Sequence, residues 1–172
     1  LGDRPLKLAM LGMTEGNGHP YSWSIIINGR YDADALAQCP YGAIRDYIVK
    51  QPDDTLGIDG AEVTHVWTDD PKDGELVAKV AKIVHVVARA EDVIGQVDAV
   101  LVATDKGEEH VARCRPFIEA GIPVFVDKPL CNNRQDLGVF SDWVDEGKPL
   151  ISSSAMRFSK EFTPYHRATH EL

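Results

Sequence analysis

The chain has 172 residues, of which 44% are hydrophobic and 26% charged, a composition typical of one globular domain of ordinary size. Its formal net charge of −9 argues against a general nucleic-acid or anionic-membrane surface, which would need clustered lysine and arginine. The charge is compatible with a nucleotide, since backbone N–H groups alone can bind a phosphate. We therefore expect no nucleic-acid partner.

The cysteines and the hydropathy pattern indicate which cellular compartment the protein occupies. Cys39, Cys114 and Cys131 are widely spaced and include no C-x-x-C pair, which is typical of unpaired thiols in a reducing compartment. No apolar run reaches the length of a membrane span. The sequence thus predicts a cytoplasmic protein without a membrane partner.

The first part of the chain predicts two strands separated by a long segment of mixed character. A short apolar run that ends in a glycine turn predicts the first strand, and alternating apolar residues predict the second. The segment 30–59 would be an insertion, with helical spacing at 42–51 and a loop at 52–60. The predicted regular elements are strand 7–13, a helix starting within 22–29, strand 61–70 and helix 71–83.

The second part alternates strands and helices at short intervals. Near-continuous apolar runs at 98–104 and 123–129 predict strands that are covered on both faces, as in a parallel sheet. The other predicted elements are strand 85–88, short helix 90–96, helix 107–121, helix 133–147 and strand 149–158. The alternation predicts an α/β fold with a doubly wound parallel sheet, Rossmann-like in type.

The first strand leads into a glycine-rich segment, LGMTEGNGHPYSWS, at residues 11–24. Gly12 matches the first glycine of the G-x-G-x-x-G dinucleotide fingerprint, but Thr14 occupies the second position, and Gly16 and Asn17 follow out of register. Two readings stay open, a structural turn without a ligand and a remodelled cofactor loop. In the second reading, Gly12 and the N–H groups of residues 14–18 face a pyrophosphate.

The same segment contains three rings that a plain phosphate turn does not need. These are His19, Tyr21 and Trp23. We expect them to pack under the glycine loop or to line the entrance to a substrate site.

Three further strand ends should meet the glycine loop, because ligands of open α/β sheets bind beyond the carboxyl ends of the strands. Asp69 follows the second strand and either accepts a ribose hydroxyl or caps the next helix. Thr104 ends a later strand, and His110 in the next helix either contacts a ligand or packs structurally. Lys128 ends a buried strand, where it could orient a substrate hydroxyl and help to move its proton, or be an ordinary surface lysine.

With these strand ends in place, the chain resembles the Gfo/Idh/MocA family of glucose-fructose oxidoreductases and inositol dehydrogenases. The similarity is strongest from about 97 to 158, in DAVLVATDKGEEHVARCRPFIEAGIPVFVDKPL and PLISSSAMRF. Lys128 and Pro129 match the family's Glu-Lys-Pro motif, with Asp127 in place of glutamate. Thr68 stands where many relatives carry the ribose-binding acid, so the choice between NAD and NADP stays open.

The resemblance implies a function and a set of site residues. It implies NAD or NADP as cofactor, and oxidation of a sugar or polyol hydroxyl or reduction of the ketone. Lys128 would contact the reacting hydroxyl or the nicotinamide ribose, and Pro129 would shape its loop. Thr104 and His110 would lie beside the nicotinamide half of the cofactor. No metal is implied.

The resemblance also implies a division into domains. Residues 1–158 would form the dinucleotide-binding domain, and 159–172 would begin a second, substrate-binding domain. The chain would then be a fragment or a stand-alone nucleotide domain, inactive alone and prone to form homo-oligomers through an uncovered apolar face. A non-catalytic module that senses a nucleotide or scaffolds a partner is the alternative. A methyltransferase reading gives Lys128 and Pro129 no role.

Overall fold

A computed structural model of the chain describes residues 4–167, which contain one sheet of six parallel strands. The strands are β1 (Leu6–Leu11), β2 (Ala61–Trp67), β3 (His85–Val86), β4 (Ala99–Val102), β5 (Val124–Val126) and β6 (Leu150–Ser152). Their order across the sheet is β3-β2-β1-β4-β5-β6, and every neighbouring pair is parallel. This is the order of a doubly wound Rossmann sheet, as the sequence predicts.

Helices connect the strands and cover the sheet. They are α1 (His19–Asn28), α2 (Ala33–Leu36), α3 (Gly42–Ile48), α4 (Pro71–Ala81), α5 (His110–Glu119), α6 (Arg134–Asp145) and α7 (Thr163–Arg167). Short 3₁₀ turns occupy Asp53–Thr55, Ala90–Val93 and Ala155–Phe158. Residues 168–172 of the predicted second-domain segment lie outside the described part of the chain, and that domain division stays a prediction.

Two separate apolar clusters pack on the sheet, one on each face. The first joins β1 and β2 to α1, α2 and α4, with Met10, Tyr21 and Val77 among its fully buried members. The second joins β4 and β5 to α5 and α6, with Phe117 and Phe140 at its centre. Burying apolar surface on both sides is what a parallel sheet needs, and it explains why these strands read as continuous apolar runs.

Several predicted elements end earlier in the structure than the sequence indicates, and two of the shifted boundaries have a local reason. Helix α1 begins at His19, before the predicted start at Ser22, with Pro20 in its first turn and the Asn17 side chain accepting from the His19 N–H at 3.0 Å. The predicted strand 149–158 ends at Ser152, and a 3₁₀ turn follows in which the Ser154 hydroxyl accepts from the Met156 N–H. In both places a polar side chain satisfies a helix start that hydropathy alone does not reveal.

Asn28, the last residue of α1, ties three elements together. Its side-chain NH₂ donates to the carbonyl of Val63 in β2 at 3.1 Å and to that of Ala81 in α4 at 3.2 Å. Its oxygen accepts from the Val63 N–H at 2.7 Å. Since buried backbone groups that lose their partners are costly, this one side chain contributes to the docking of α1 and α4 on β2.

We predict that Asn28→Ala lowers the free energy of unfolding by about 2 kcal/mol, because it leaves three backbone groups without a side-chain partner. Gln38→Ala is the control, since in the described part of the chain the Gln38 side chain makes one exposed bond, of 3.4 Å, to the nearby Asp34 carbonyl. Urea unfolding followed by circular dichroism measures both. Equal losses in the two variants would contradict this role for Asn28.

Candidate functional site

The candidate site is a crevice at the carboxyl ends of the strands, where the sheet order reverses between β1 and β4. At this point the connections from the two central strands leave toward opposite faces, which opens a space for a ligand. The strand ends that surround it carry Gly12, Asp69, Thr104 and Lys128. The sequence-predicted residues of all four loops are thus brought to the same edge of the sheet.

Gly12 is the point of closest approach in the crevice. Its φ of +83° lies in the left-handed region, and its N–H donates to the Trp67 carbonyl at 2.8 Å, holding the end of β1 against β2. A Cβ at this position would lie 2.6 Å from Cγ2 of Thr104. Thr104 itself is fully buried, so the methyl group fills the space that a side chain at Gly12 would need.

Two other side chains of the glycine loop, those of Thr14 and Asn17, turn inward. The Thr14 hydroxyl donates to Asp105 at 2.7 Å, and the Asn17 side chain donates to the Ala103 carbonyl at 3.3 Å. Both side chains are buried, and Gly16 provides a second positive φ, of +84°. Among the hydrogen bonds of residues 4–167, the N–H groups of Thr14 and Glu15 donate to no protein acceptor.

Asp127 is the buried charge of the site. Its side chain is only 2% exposed, and it accepts from the Lys128 N–H at 2.7 Å, from Asn17 at 3.3 Å and from His19 Nδ1 at 2.5 Å. Burial alone would raise its pKa, but the hydrogen bonds from His19, Lys128 and Asn17 outweigh that effect and hold the pKa below its ordinary value. The carboxylate thereby joins the glycine loop and α1 to the end of β5.

Asp69 and Arg113 form an ion pair on the other side of Gly12. Arg113 donates to Asp69 at 2.7 Å and to Glu109 at 2.6 Å, and its guanidinium lies 5.8 Å from the centre of the Trp67 ring. Asp69 also accepts from the Met13 N–H at 3.1 Å, while its side chain remains 41% exposed. Neighbouring Asp70 caps α4 through the Lys72 N–H, so the two adjacent acids have separate roles.

His110 lies fully buried at the start of α5. Its Nε2 is 2.9 Å from the Thr104 carbonyl and 3.0 Å from the Thr104 hydroxyl, and its Nδ1 is 3.1 Å from the Leu130 carbonyl. Both ring nitrogens are thus engaged inside the fold. In this geometry His110 holds the ends of β4 and β5 together, and it presents no free nitrogen to the crevice.

Two cavities open at this edge, on either side of the Gly12 loop. The first has a volume of 340 Å³ and lies beyond β1, β2 and β4, between Leu11, Trp67, Arg89, Val102 and Arg113. The second has a volume of 520 Å³ and is lined by His19, Trp23, Asp105, Lys128 and residues of the α3 region. Lys128 is exposed in this second cavity, which we call the lysine cleft, and Pro129 follows it through a cis peptide bond.

A family model described as "Oxidoreductase family, NAD-binding Rossmann fold" (GFO_IDH_MocA) matches residues 45–147, more than half of the chain. Together with the sheet order, this match identifies an NAD-binding Rossmann domain of the oxidoreductase family. The chain belongs to the Gfo/Idh/MocA family, as the Lys128-Pro129 motif and its surroundings predict. The match begins after the glycine loop, which is the segment that departs from the dinucleotide fingerprint.

Solved structures of similar fold include several dehydrogenases. Myo-inositol 2-dehydrogenase from Lactobacillus plantarum is 16% identical, with a TM-score of 0.63 over 98% of this chain and 42% of that one. Scyllo-inositol dehydrogenase from Lactobacillus casei, solved with NAD(H) and scyllo-inositol, is 14% identical, with a TM-score of 0.64 and the same coverage. The chain therefore spans less than half the length of these neighbours.

Comparison with curated protein sequences gave no match. Within residues 4–167, no helix combines the length and apolar character needed to cross a bilayer. The same part of the chain holds no cluster of three histidine, cysteine or acidic residues able to bind a metal.

Two residues of the site escaped sequence reasoning. Arg113 lies four residues after Glu109 on α5, a spacing that predicts only an ordinary helical ion pair, and nothing local indicates its second partner, Asp69. Tyr41 lies in the long connection before β2 and would be 2.7 Å from a Cβ at Gly18. Both contacts depend on how distant segments pack.

We predict that Gly12→Ala destabilises the chain more than Gly16→Ala does. Both positions have positive φ and should lose about 1 kcal/mol to strain, but only Gly12 would also collide with Thr104 and so lose another ~1–3 kcal/mol. Urea unfolding measures the difference. Thr104→Ser removes the colliding methyl group and should partly rescue Gly12→Ala; equal losses at the two glycines would refute the close approach.

Proposed function

We propose that this chain is the cofactor-binding portion of an NAD(P)-dependent dehydrogenase that interconverts a sugar- or cyclitol-type hydroxyl and its ketone. The observation that carries the proposal is the pair of cavities on either side of the Gly12 loop, one largely apolar and one containing Lys128. A dinucleotide needs this combination, because its adenine and its reactive ring bind at opposite ends of one crevice.

The crevice residues fit a dinucleotide. The positive φ of Gly12 brings bare backbone to the closest approach of the loop, and the N–H groups of Thr14 and Glu15 lack protein acceptors in the described structure. We assign the pyrophosphate to this loop, with Gly16 supporting its turn. Thr14 and Asn17 act through loop shape, since their side chains bond to Asp105 and Ala103.

The 340 Å³ cavity suits the adenosine half of the cofactor. Leu11, Val102 and Phe117 provide apolar walls, and the Arg113 guanidinium offers a planar surface for stacking. Asp69 stands at the end of β2 beside this cavity with part of its carboxylate exposed. We assign it to the ribose hydroxyls, which favours NAD over NADP because a 2′-phosphate would meet its negative charge.

The lysine cleft suits the reacting end. When bound, the nicotinamide supplies a hydride acceptor or donor. The Lys128 ammonium would donate a hydrogen bond to the substrate oxygen and orient it, and Pro129 would shape the loop that presents it. Thr104 and His110 fix the neighbouring strand end as positioning residues. A sugar or cyclitol is the proposed substrate class, since scyllo-inositol is bound in one structural neighbour.

Homo-oligomer formation remains part of the proposal. Several large apolar side chains near β6 and α6 are exposed, which supports association through this side of the chain. They are Leu137, Val144, Ile151, Met156 and Phe158.

We predict that the chain binds a reduced nicotinamide dinucleotide, seen as a change in NADH fluorescence on titration. Glu15→Gln should tighten binding about two- to threefold, since it removes a negative charge from the loop assigned to the pyrophosphate. Glu75→Gln, on the exposed face of α4, is the matched control and should leave affinity unchanged. Absence of binding of both NADH and NADPH at millimolar concentration would end the dehydrogenase proposal.

We predict that Asp69→Ala shifts the preference from NADH toward NADPH by about tenfold or more. The substitution removes the charge that opposes a 2′-phosphate and frees the Arg113 guanidinium to pair with one. Glu109→Ala is the control, because it removes the other acidic partner of Arg113 without changing the end of β2. Dissociation constants for both cofactors, measured by calorimetry, should shift in the first variant only.

We predict that Lys128→Ala in the full-length protein lowers kcat by at least ~100-fold and changes the NADH dissociation constant by less than about threefold. Lys106→Ala is the control, since Lys106 is an exposed lysine of the β4–α5 connection whose ion-pair partner within residues 4–167 is Glu109. Cofactor binding without turnover of any sugar or polyol would favour the alternative function, a nucleotide-sensing module.

A further inference from the structure

His19 has a fixed orientation in the lysine cleft. It is the first residue of α1, and its ring stacks on Trp23 with the centroids 4.5 Å apart and the planes at 13°. Trp23 in turn packs edge-on against Phe125 of β5, with the ring centroids 5.6 Å apart. The imidazole is therefore stacked on a tryptophan that is itself packed against β5.

Asp127 determines which nitrogen of His19 faces the cleft. The ionised carboxylate can only accept hydrogen bonds, so the proton shared across the 2.5 Å contact belongs on Nδ1. Among the hydrogen bonds of the described residues, Nε2 of His19 has no partner, and the side chain is 30% exposed where it lines the cleft. His65 and His110, by contrast, have hydrogen-bond partners at both ring nitrogens.

The proposed oxidation needs a group that can accept a proton. Oxidising a secondary alcohol removes a proton from oxygen as well as a hydride from carbon. A lysine ammonium has donors only, so Lys128 in that form can orient the hydroxyl and stabilise negative charge on its oxygen but cannot accept the proton. A neutral imidazole with its Nδ1–H held by a buried carboxylate can accept it at Nε2.

We propose that Nε2 of His19 accepts the hydroxyl proton during oxidation and returns it during reduction, and that Asp127 is the positioning residue that fixes its tautomer. This inference rests on the proposed function and adds its proton acceptor. The C–H electron pair leaves as hydride to the oxidised nicotinamide dinucleotide, the O–H proton passes to Nε2, and the carbon–oxygen bond becomes a carbonyl. The imidazolium that forms lies beside the Asp127 carboxylate.

The first test measures the tautomer of His19 directly and does not require an active enzyme. In ¹⁵N NMR of the histidine-labelled chain, the neutral form of His19 should carry its proton on Nδ1 and none on Nε2. Asp127→Asn should reverse this, because the asparagine amide can donate to Nδ1. An Nε2–H tautomer in the unmodified chain would overturn the inference. The other titratable groups that line the cleft are Asp105, Lys128, Tyr41 and Tyr47.

The second test uses the full-length protein. His19→Gln should lower kcat/KM for oxidation at least ~100-fold, change the pH profile of that rate, and leave NADH affinity within about twofold. His85→Gln, at the exposed edge strand β3, is the control and should behave as the unmodified protein. An unchanged pH profile in His19→Gln would overturn the inference.

Failure of this inference is distinguishable from failure of the proposed function. If the unmodified protein binds neither NADH nor NADPH, the proposed function and the role of His19 are both refuted, whatever the tautomer of His19. If it binds the cofactor and oxidises a polyol while His19→Gln retains full activity, only the role of His19 falls. Should His19→Gln fail to fold, the tautomer measured in the unmodified chain still decides the inference.

Discussion

The carboxylate of Asp127 is the interaction on which the crevice depends. A charge buried to this extent is costly unless it is paired and hydrogen-bonded, and its partners come from three places: Asn17 in the glycine loop, His19 at the start of α1, and the backbone of Lys128. The requirement to satisfy one buried acid therefore holds the loop, the helix and the motif lysine in a single arrangement. Removing the acid would disturb all three together.

The sheet was predictable from the sequence because each strand is encoded by a short local run of apolar residues, and such runs recur along the chain. Apolar runs such as Ala99–Val102 and Val124–Val126 are typical of central parallel strands, and Gly29 ends α1 in the left-handed conformation that glycine favours. The connection between α1 and β2 was less readable. Helices α2 and α3 are short, and they are held by contacts with distant residues, such as the bond from the Asp32 N–H to the Val80 carbonyl.

The site was predictable in location but not in the direction of its side chains. Thr14, Asn17 and His110 lie at the expected strand ends, yet all three turn inward and bond within the fold. A sequence pattern gives the position of a residue along the chain and says little about which of two nearby partners its side chain will choose. The pairing of His19 with Asp127 across 108 positions could not be read from spacing at all.

The segment between α1 and β2 is anchored at both ends and contributes residues to both the core and the lysine cleft. Asp32 bonds to the Val80 carbonyl, and Gly57 bonds to the Ile26 carbonyl, so both ends are fixed to the scaffold. Between them, Tyr41, Ile44 and Tyr47 form one wall of the lysine cleft. The exposed parts of these side chains can vary while buried residues of the same segment, such as Leu36 and Ile48, keep it packed on the sheet. The shape of molecule admitted to the cleft can thus diverge while the carboxyl edge of the sheet stays the same.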